Sequence, residues 1–265
     1  MPTRLFVCAF ATLLAGAFAR PAEAQFSVPT PSVEDYHVEL GTMWWKPAPI
    51  LVIRNGSGGT DVNVVEAFGI EDTRFKEFRL VLKPGRKHKI RGQYVPLKYA
   101  KDASINREFT FGGHTYTVNA PASVAFDWTL WRFGYEWDFV SNKNAFVGAI
   151  GEVKYTQVKA TISSAALGVS SSADVKAPLP AVGAIARGYL TKGLSITVEA
   201  TGFKVPDRFN VKGRFLDYDL YGMANLGRNV SLQAGYRKLD MRYDVDDVAG
   251  QMKMGGRYFG LSVRF

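Results

Sequence analysis

Tyr258-Phe259-Gly260-Leu261-Ser262-Val263-Arg264-Phe265 is the stretch that decides the fold. Successive side chains of a β-strand point to opposite faces. Phe259, Leu261, Val263 and Phe265 therefore share one face, and Tyr258, Gly260, Ser262 and Arg264 the other. Such a strand can lay its apolar face on a soluble core. It can also face lipid on one side and a wet lumen on the other, as in a closed transmembrane barrel. Features elsewhere in the chain separate the two.

Residues 1–24 read as a cleaved signal peptide, with Arg4 as a basic start, an apolar Leu5–Phe18 stretch and an Ala22-Glu23-Ala24 cleavage site. The apolar stretch is shorter than a membrane-spanning helix requires. Cleavage would leave 265 − 24 = 241 residues and remove Cys8, the sole cysteine, so disulfides and cysteine-based metal sites are not expected. Residues 25–35, with Pro29 and Pro31, read as a periplasmic N-terminal tail, and 36–265 as one barrel.

Composition agrees. Aromatic residues make up 13% and glycine numbers 26, which suits strands and tight turns. After residue 24 no apolar run approaches the ~20 residues of a helical span. The net charge of +9 becomes +9 − 2 + 1 = +8 without Arg4, Arg20 and Glu23. Much of the basic excess lies between Arg74 and Lys101, where Glu77 is the only acid. Behind a signal peptide that stretch points to anionic lipid headgroups, not to nucleic acid.

Period-two alternation bounded by turn residues predicts strands near 36–46, 73–83, 87–99, 123–140, 145–158, 178–190, 194–205, 214–226, 229–239 and 256–265. This gives an all-β, antiparallel up-and-down transmembrane barrel of about ten strands, with eight or twelve as alternatives. Tight turns at 84–87, 141–144, 191–193 and 227–229 alternate with long connections near 47–72, 100–122, 159–177, 206–213 and 240–255. Short periplasmic turns and longer extracellular loops are the barrel pattern. Within the long connections, 105–111 and 114–118 read as an extension of the flanking strands, and 50–53 with 61–65 as an extracellular hairpin tipped by 55–59.

Trp44, Trp45, Trp128, Trp131 and Trp137 are expected in aromatic girdles. Nine residues separate Trp128 from Trp137, roughly 23 Å of height at ~3.3 Å per residue and a ~40° tilt. Alternation then turns Glu39, Arg79, Lys89, Arg91, Arg132, Glu136, Asp138, Glu152, Lys154, Arg187, Glu199, Asp217, Asp219, Arg237 and Arg264 to the lumen, because a charge facing mid-bilayer lipid costs ~2–4 kcal/mol. The pattern falters near 156–158 and 237–239, as at a bulge or where a strand leaves the membrane. Mixed charges in a narrow barrel read as a structural network, with a small-solute pore as the alternative.

In its terminal strand, girdles and loop asymmetry the chain resembles the small outer-membrane barrels of the OmpA/OmpX/OmpW type. The resemblance implies that Phe259, Leu261, Val263 and Phe265 are the signal read by the barrel-assembly machinery. It also implies lipopolysaccharide and phospholipid headgroups as partners, with Arg86, Lys87, His88 and Lys89 forming a basic periplasmic turn against them. The expected role is structural or surface-interacting. A narrow porin-like channel for small or hydrophobic solutes comes second and an outer-membrane hydrolase third.

No enzyme constellation is read from the sequence. His37, His88 and His114 are the only histidines, and His114, at a glycine-rich tip, has no Asp or Ser beside it in sequence; Ser123 and Asp127 are its distant candidates. Asp244, Asp246 and Asp247 miss the spacing of a calcium loop. No cofactor is expected.

Overall fold

Alternating sequences become strands because each pleat can satisfy two different environments at once. The computed structural model describes residues 35–55, 61–106, 108–205, 211–227, 229–245 and 248–265. The proposed signal peptide, most of the tail, the 56–59 tip and Asp246–Asp247 lie outside these residues. Ten long strands carry the architecture: β1 (Val38–Asn55), β3 (Phe75–Gly85), β4 (His88–Ser104), β7 (Pro121–Ser141), β8 (Ala145–Ser164), β9 (Val169–Tyr189), β10 (Leu194–Lys204), β11 (Val211–Asn225), β12 (Val230–Val245) and β13 (Val248–Arg264). Each is antiparallel to its neighbours, and β13 pairs back onto β1 from Glu39↔Arg264 to Asn55↔Val248. The barrel is closed, so its wall has no free edge at the level where all ten strands pair. At the seam, Phe265 N donates to Val38 O (2.9 Å), and Phe265 O accepts from His37 N (2.6 Å).

The strands run well past their predicted outer ends, and 159–177 and 240–255 are mostly strand instead of loop. Parity does not slip. In β8 the even positions from Phe146 to Ser164 stay buried, and in β12 the odd positions face inward. What changes is polarity. Low in β8, Glu152 and Lys154 point in while Val153 and Tyr155 point out; higher up, Val158, Ala160 and Ile162 point in while Gln157 and Lys159 point out. The same inversion passes through β7, where Phe126, Trp128 and Leu130 face inward above Arg132, Glu136 and Asp138. Lipid demands an apolar exterior and water a polar one, so one continuous strand crossing the boundary exchanges its two faces chemically without a bulge. Register shifts occur only at the opposite end, between Leu82 and Gly85 and between Trp137 and Val140.

Prolines mark where a neighbouring strand stops. Pro47 and Pro49 follow the last β1–β3 pair (Trp45↔Phe75), Pro96 follows the last β4–β3 pair (Tyr94↔Phe78), and Pro178 and Pro180 precede the first β9–β10 pair (Val182↔Gly202). A missing N–H costs a ladder bond only where a partner strand is present, so each proline is tolerated on its free side. This is why β1 runs through Pro47 and Pro49, and why 50–53 belongs to the barrel wall.

The opening that β3 leaves between β1 and β4 is occupied by β2 (Val62–Asn63), which pairs Val52↔Asn63, and by α1 (Val64–Phe68). The Asn63 side chain caps α1 by accepting from Glu66 N, and Gly69 ends it in the left-handed region (φ 59°). Residues 105–118 do not extend β4 and β7 as expected. β5 (Phe109–Phe111) and β6 (His114–Tyr116) form a separate two-stranded sheet. Phe109, Phe111 and Tyr116 are apolar on one face, and burying them inward against the barrel core gains more than a solvated wall extension would.

Candidate functional site: the filled lumen

Two chemically different fillings stack inside the barrel. The lower one is ionic. Arg79, Lys89, Arg91, Arg132, Lys154, Arg187, Arg237 and Arg264 face it together with Glu39, Glu77, Glu136, Asp138, Glu152, Glu199, Asp217 and Asp219. With Lys83, buried at the base, that is nine cations and eight carboxylates among the described residues, so the buried charge nearly balances. Arg132 is central: its guanidinium reaches Glu152 (2.9 Å), Glu199 (2.8 Å) and Asp217 (3.4 Å) and donates to Gln93 Oε1 (2.8 Å). Asp217 also accepts from Lys154 and Arg237 (both 2.9 Å). Arg237 continues to Glu77 (3.0 Å), and Gln93 donates back to Glu77 (2.7 Å). Toward the lower end Arg91 joins Glu199 (2.5 Å) to Glu136 (3.2 Å), and Lys89 joins Glu136 (2.6 Å) to Asp138 (2.8 Å). Arg79 pairs with Asp219 (3.3 Å), which accepts from Tyr258 Oη (2.8 Å). Arg187 donates to Thr197 Oγ1 (2.8 Å) and Tyr221 Oη (3.1 Å). At the base Arg264 grips Glu39 (2.5 Å), and the Tyr36 ring lies against both Arg264 (4.8 Å) and Lys83 (5.1 Å). Chains of charge-assisted hydrogen bonds spanning opposite walls make a cross-brace, and the fork geometry of arginine lets one side chain hold several strands together.

The upper filling is apolar. Trp45, Leu51, Val95, Leu97, Phe126, Trp128, Phe215, Leu239 and Met254 come from the wall, and Phe68, Phe111 and Tyr116 come from α1 and the small sheet. Three polar tips in this layer have partners: Trp128 Nε1 donates to Thr156 Oγ1 (2.7 Å), Trp45 Nε1 to Gly256 O (3.2 Å), and Tyr116 Oη to Ile162 O (2.9 Å), whereas the buried Tyr99 hydroxyl makes no hydrogen bond. Gly256 is required there, because a Cβ would lie 2.0 Å from Lys46 O. Burial, with Asp72 nearby, pushes the Tyr99 phenol above its usual range, and burial alone pushes that of Tyr243 up to about 12.

The fifteen charged side chains expected inside all face the lumen region. Glu77, Gln93, Thr201, Tyr221 and Tyr258 belong to the same network and were not singled out. Glu77 shares parity with Arg79 and was legible; the neutral residues carry no charge to flag them. Two girdle assignments are corrected. Trp45 and Trp128 are wholly buried, because Trp45 cannot share a face with its neighbour Trp44, and Trp128 lies an odd number of residues from Trp131. The outward boundary is formed instead by Trp44 stacked on Phe259 (5.1 Å) and Tyr94 beside Trp131 (4.2 Å), with Trp137 and Phe139 exposed at the opposite end. Phe259, Leu261 and Phe265 are exposed on the outer face, with Val263 half-buried beside them. In the basic turn, Lys89 is buried against Glu136 and Asp138 and cannot meet headgroups, whereas Arg86, Lys87 and His88 are exposed. The β3–β4 turn is tight, so His88 starts the outward parity and Lys89 the inward one.

His114 is exposed on β6, and Ser123 and Asp127 sit on the outer parity of β7, away from the lumen. Among the described residues no three His, Cys, Asp or Glu side chains gather as metal ligands.

No family model and no curated protein sequence matches the chain. Solved structures do. The outer membrane protease OmpT from Escherichia coli superposes with a TM-score of 0.53 at 8% identity, covering 91% of this chain and 99% of that one. The transport unit of the autotransporter AIDA-I from Escherichia coli gives 0.42 at 9% identity (98% and 97% covered), and Ail, the attachment invasion locus protein of Yersinia pestis, gives 0.37 at 12% (85% and 99%). At such identities the likeness is one of fold: the chain is a closed, ten-stranded, antiparallel β-barrel like those of outer-membrane proteins.

Proposed function

We propose that the protein spans the outer membrane as a sealed barrel with a structural or surface-interaction role, presenting a rigid collar on the cell exterior. The observation that carries this is the doubly filled lumen: an ion network spans the bore at one level and an apolar core closes it above. The lipid-facing belt supports membrane placement. Leu40, Leu80, Phe133, Val198, Leu220 and Leu261 stand exposed at levels where the inward positions are charged, an arrangement that water would penalise. Its partners on this reading are lipopolysaccharide and phospholipid, with Arg86, Lys87 and His88 against inner-leaflet headgroups, and the assembly machinery that reads the C-terminal strand. A channel would require these fillings to leave.

Planar bilayers test it. The folded full-length protein should add no stable conductance, whereas a persistent opening of nanosiemens order would establish a channel instead.

A further inference from the structure

Outside the barrel, above the apolar belt, several cross-strand neighbours alternate in sign. Lys98, Asp127, Lys159 and Asp174 are successive cross-strand partners along β4, β7, β8 and β9, and Asp240 lies opposite Lys253. Two sectors break this pattern. Lys204, Arg214 and Arg242 are cross-strand neighbours on β10, β11 and β12, where Asp240 lies beside Arg242 (3.7 Å). The other sector lies at the seam. Lys46 on β1 is paired in register with Arg257 on β13, Lys76 stands opposite Trp44, and Arg74, just before β3, lies over the Phe259 ring (5.6 Å). All four cations are exposed, and among the described residues none makes an ion pair. Like charges directly opposite each other destabilise a ladder unless an anion lies between them.

Directly below, toward the belt, is a groove of about 510 Å³ in the lipid-facing wall. The rung Leu40–Leu80–Gly92–Phe133 has a gap at Gly92, whose absent side chain leaves a notch flanked by Tyr94 and Trp131. Extra volume there is tolerated, since a Cβ on Gly92 would meet only Leu80 Cβ at 3.8 Å.

We infer that this face of β13, β1, β3 and β4 binds one phosphorylated, multiply acylated glycolipid of the outer leaflet, its phosphates on Lys46, Arg257, Lys76 and Arg74 and an acyl chain in the Gly92 notch. Cations just above an aromatic boundary and an apolar slot just beneath it match a ligand that is anionic at the headgroup and hydrocarbon below. The paired Lys46 and Arg257 favour phosphate dianions over the single diester charge of a phospholipid. This inference rests on the membrane placement proposed above.

The test uses the folded full-length protein in vesicles and bisphosphorylated hexa-acyl lipid A as probe, with phosphatidylglycerol and inorganic phosphate as comparators. Wild type should prefer lipid A to phosphatidylglycerol by roughly tenfold, and the Lys46→Gln/Arg257→Gln pair should lose that preference. Gly92→Leu should weaken lipid A binding and leave inorganic phosphate binding unchanged. Equal lipid A affinity in wild type and both variants, or no preference in wild type, overturns the site. Quenching of the exposed tryptophans by brominated phosphatidylcholine is read in parallel. Its presence without a lipid A preference defeats only the site; its absence defeats the membrane placement.

Discussion

Replacing Arg132 with Met should be among the most damaging single changes in this barrel, costing about 3–5 kcal/mol. The guanidinium holds Glu152, Glu199 and Asp217 together, and these sit on β8, β10 and β11. Its removal leaves these three carboxylates short of a counter-charge in a bore without solvent screening. The expected readout is a large fall in the denaturant midpoint of the folded, heat-modifiable form, with little dependence on salt. A second change separates charge imbalance from lost contacts. Glu152 pairs with both Arg132 and Lys154, and Lys154 retains Asp217 in its absence. Arg132→Met/Glu152→Met removes one of the stranded carboxylates and should be more stable than Arg132→Met alone. A double variant as unstable as the sum of its singles would show that packing, and not charge, governs the network.

Trp128→Ala should cost a similar 3–5 kcal/mol by a different mechanism. The indole is wholly buried in the upper core, and its N–H donates to Thr156. Truncation leaves both a cavity and an unpaired hydroxyl. Because the ion network lies beneath as an independent seal, the variant should remain non-conducting in bilayers even as its midpoint drops. Conductance arising from this single truncation would mean that the ionic layer does not close the bore.

Alternation made the barrel, its strand number and its inward charges legible. Arg132, Glu152, Lys154 and Asp217 follow from parity plus the cost of a charge in lipid. The strand lengths did not follow, because an apolar outer face marks a strand only where lipid lies outside it. Above the boundary that face turns polar, and Lys159, Arg242 and Lys253 look like loop residues while remaining on strands. The same inversion hid the upper core: Trp128 and Trp45 resemble girdle residues by type and are core residues by parity. The fold of 105–118 was out of reach for another reason. Phe109, Phe111 and Tyr116 alternate much as wall residues would, and only the three-dimensional supply of apolar surface beneath them decides that they turn inward. The outward pairing of Lys46 with Arg257 depends on register between β1 and β13, which are far apart in sequence.

Each strand keeps one parity while its chemistry inverts at the outer membrane surface. Spin labels placed singly at Phe133, Val198, Lys159 and Arg242, all outward-facing, test it by collisional accessibility in vesicles. Labels at 133 and 198 should meet oxygen dissolved in the lipid and not aqueous nickel complexes, and labels at 159 and 242 should show the reverse. Four labels with one shared preference would contradict it.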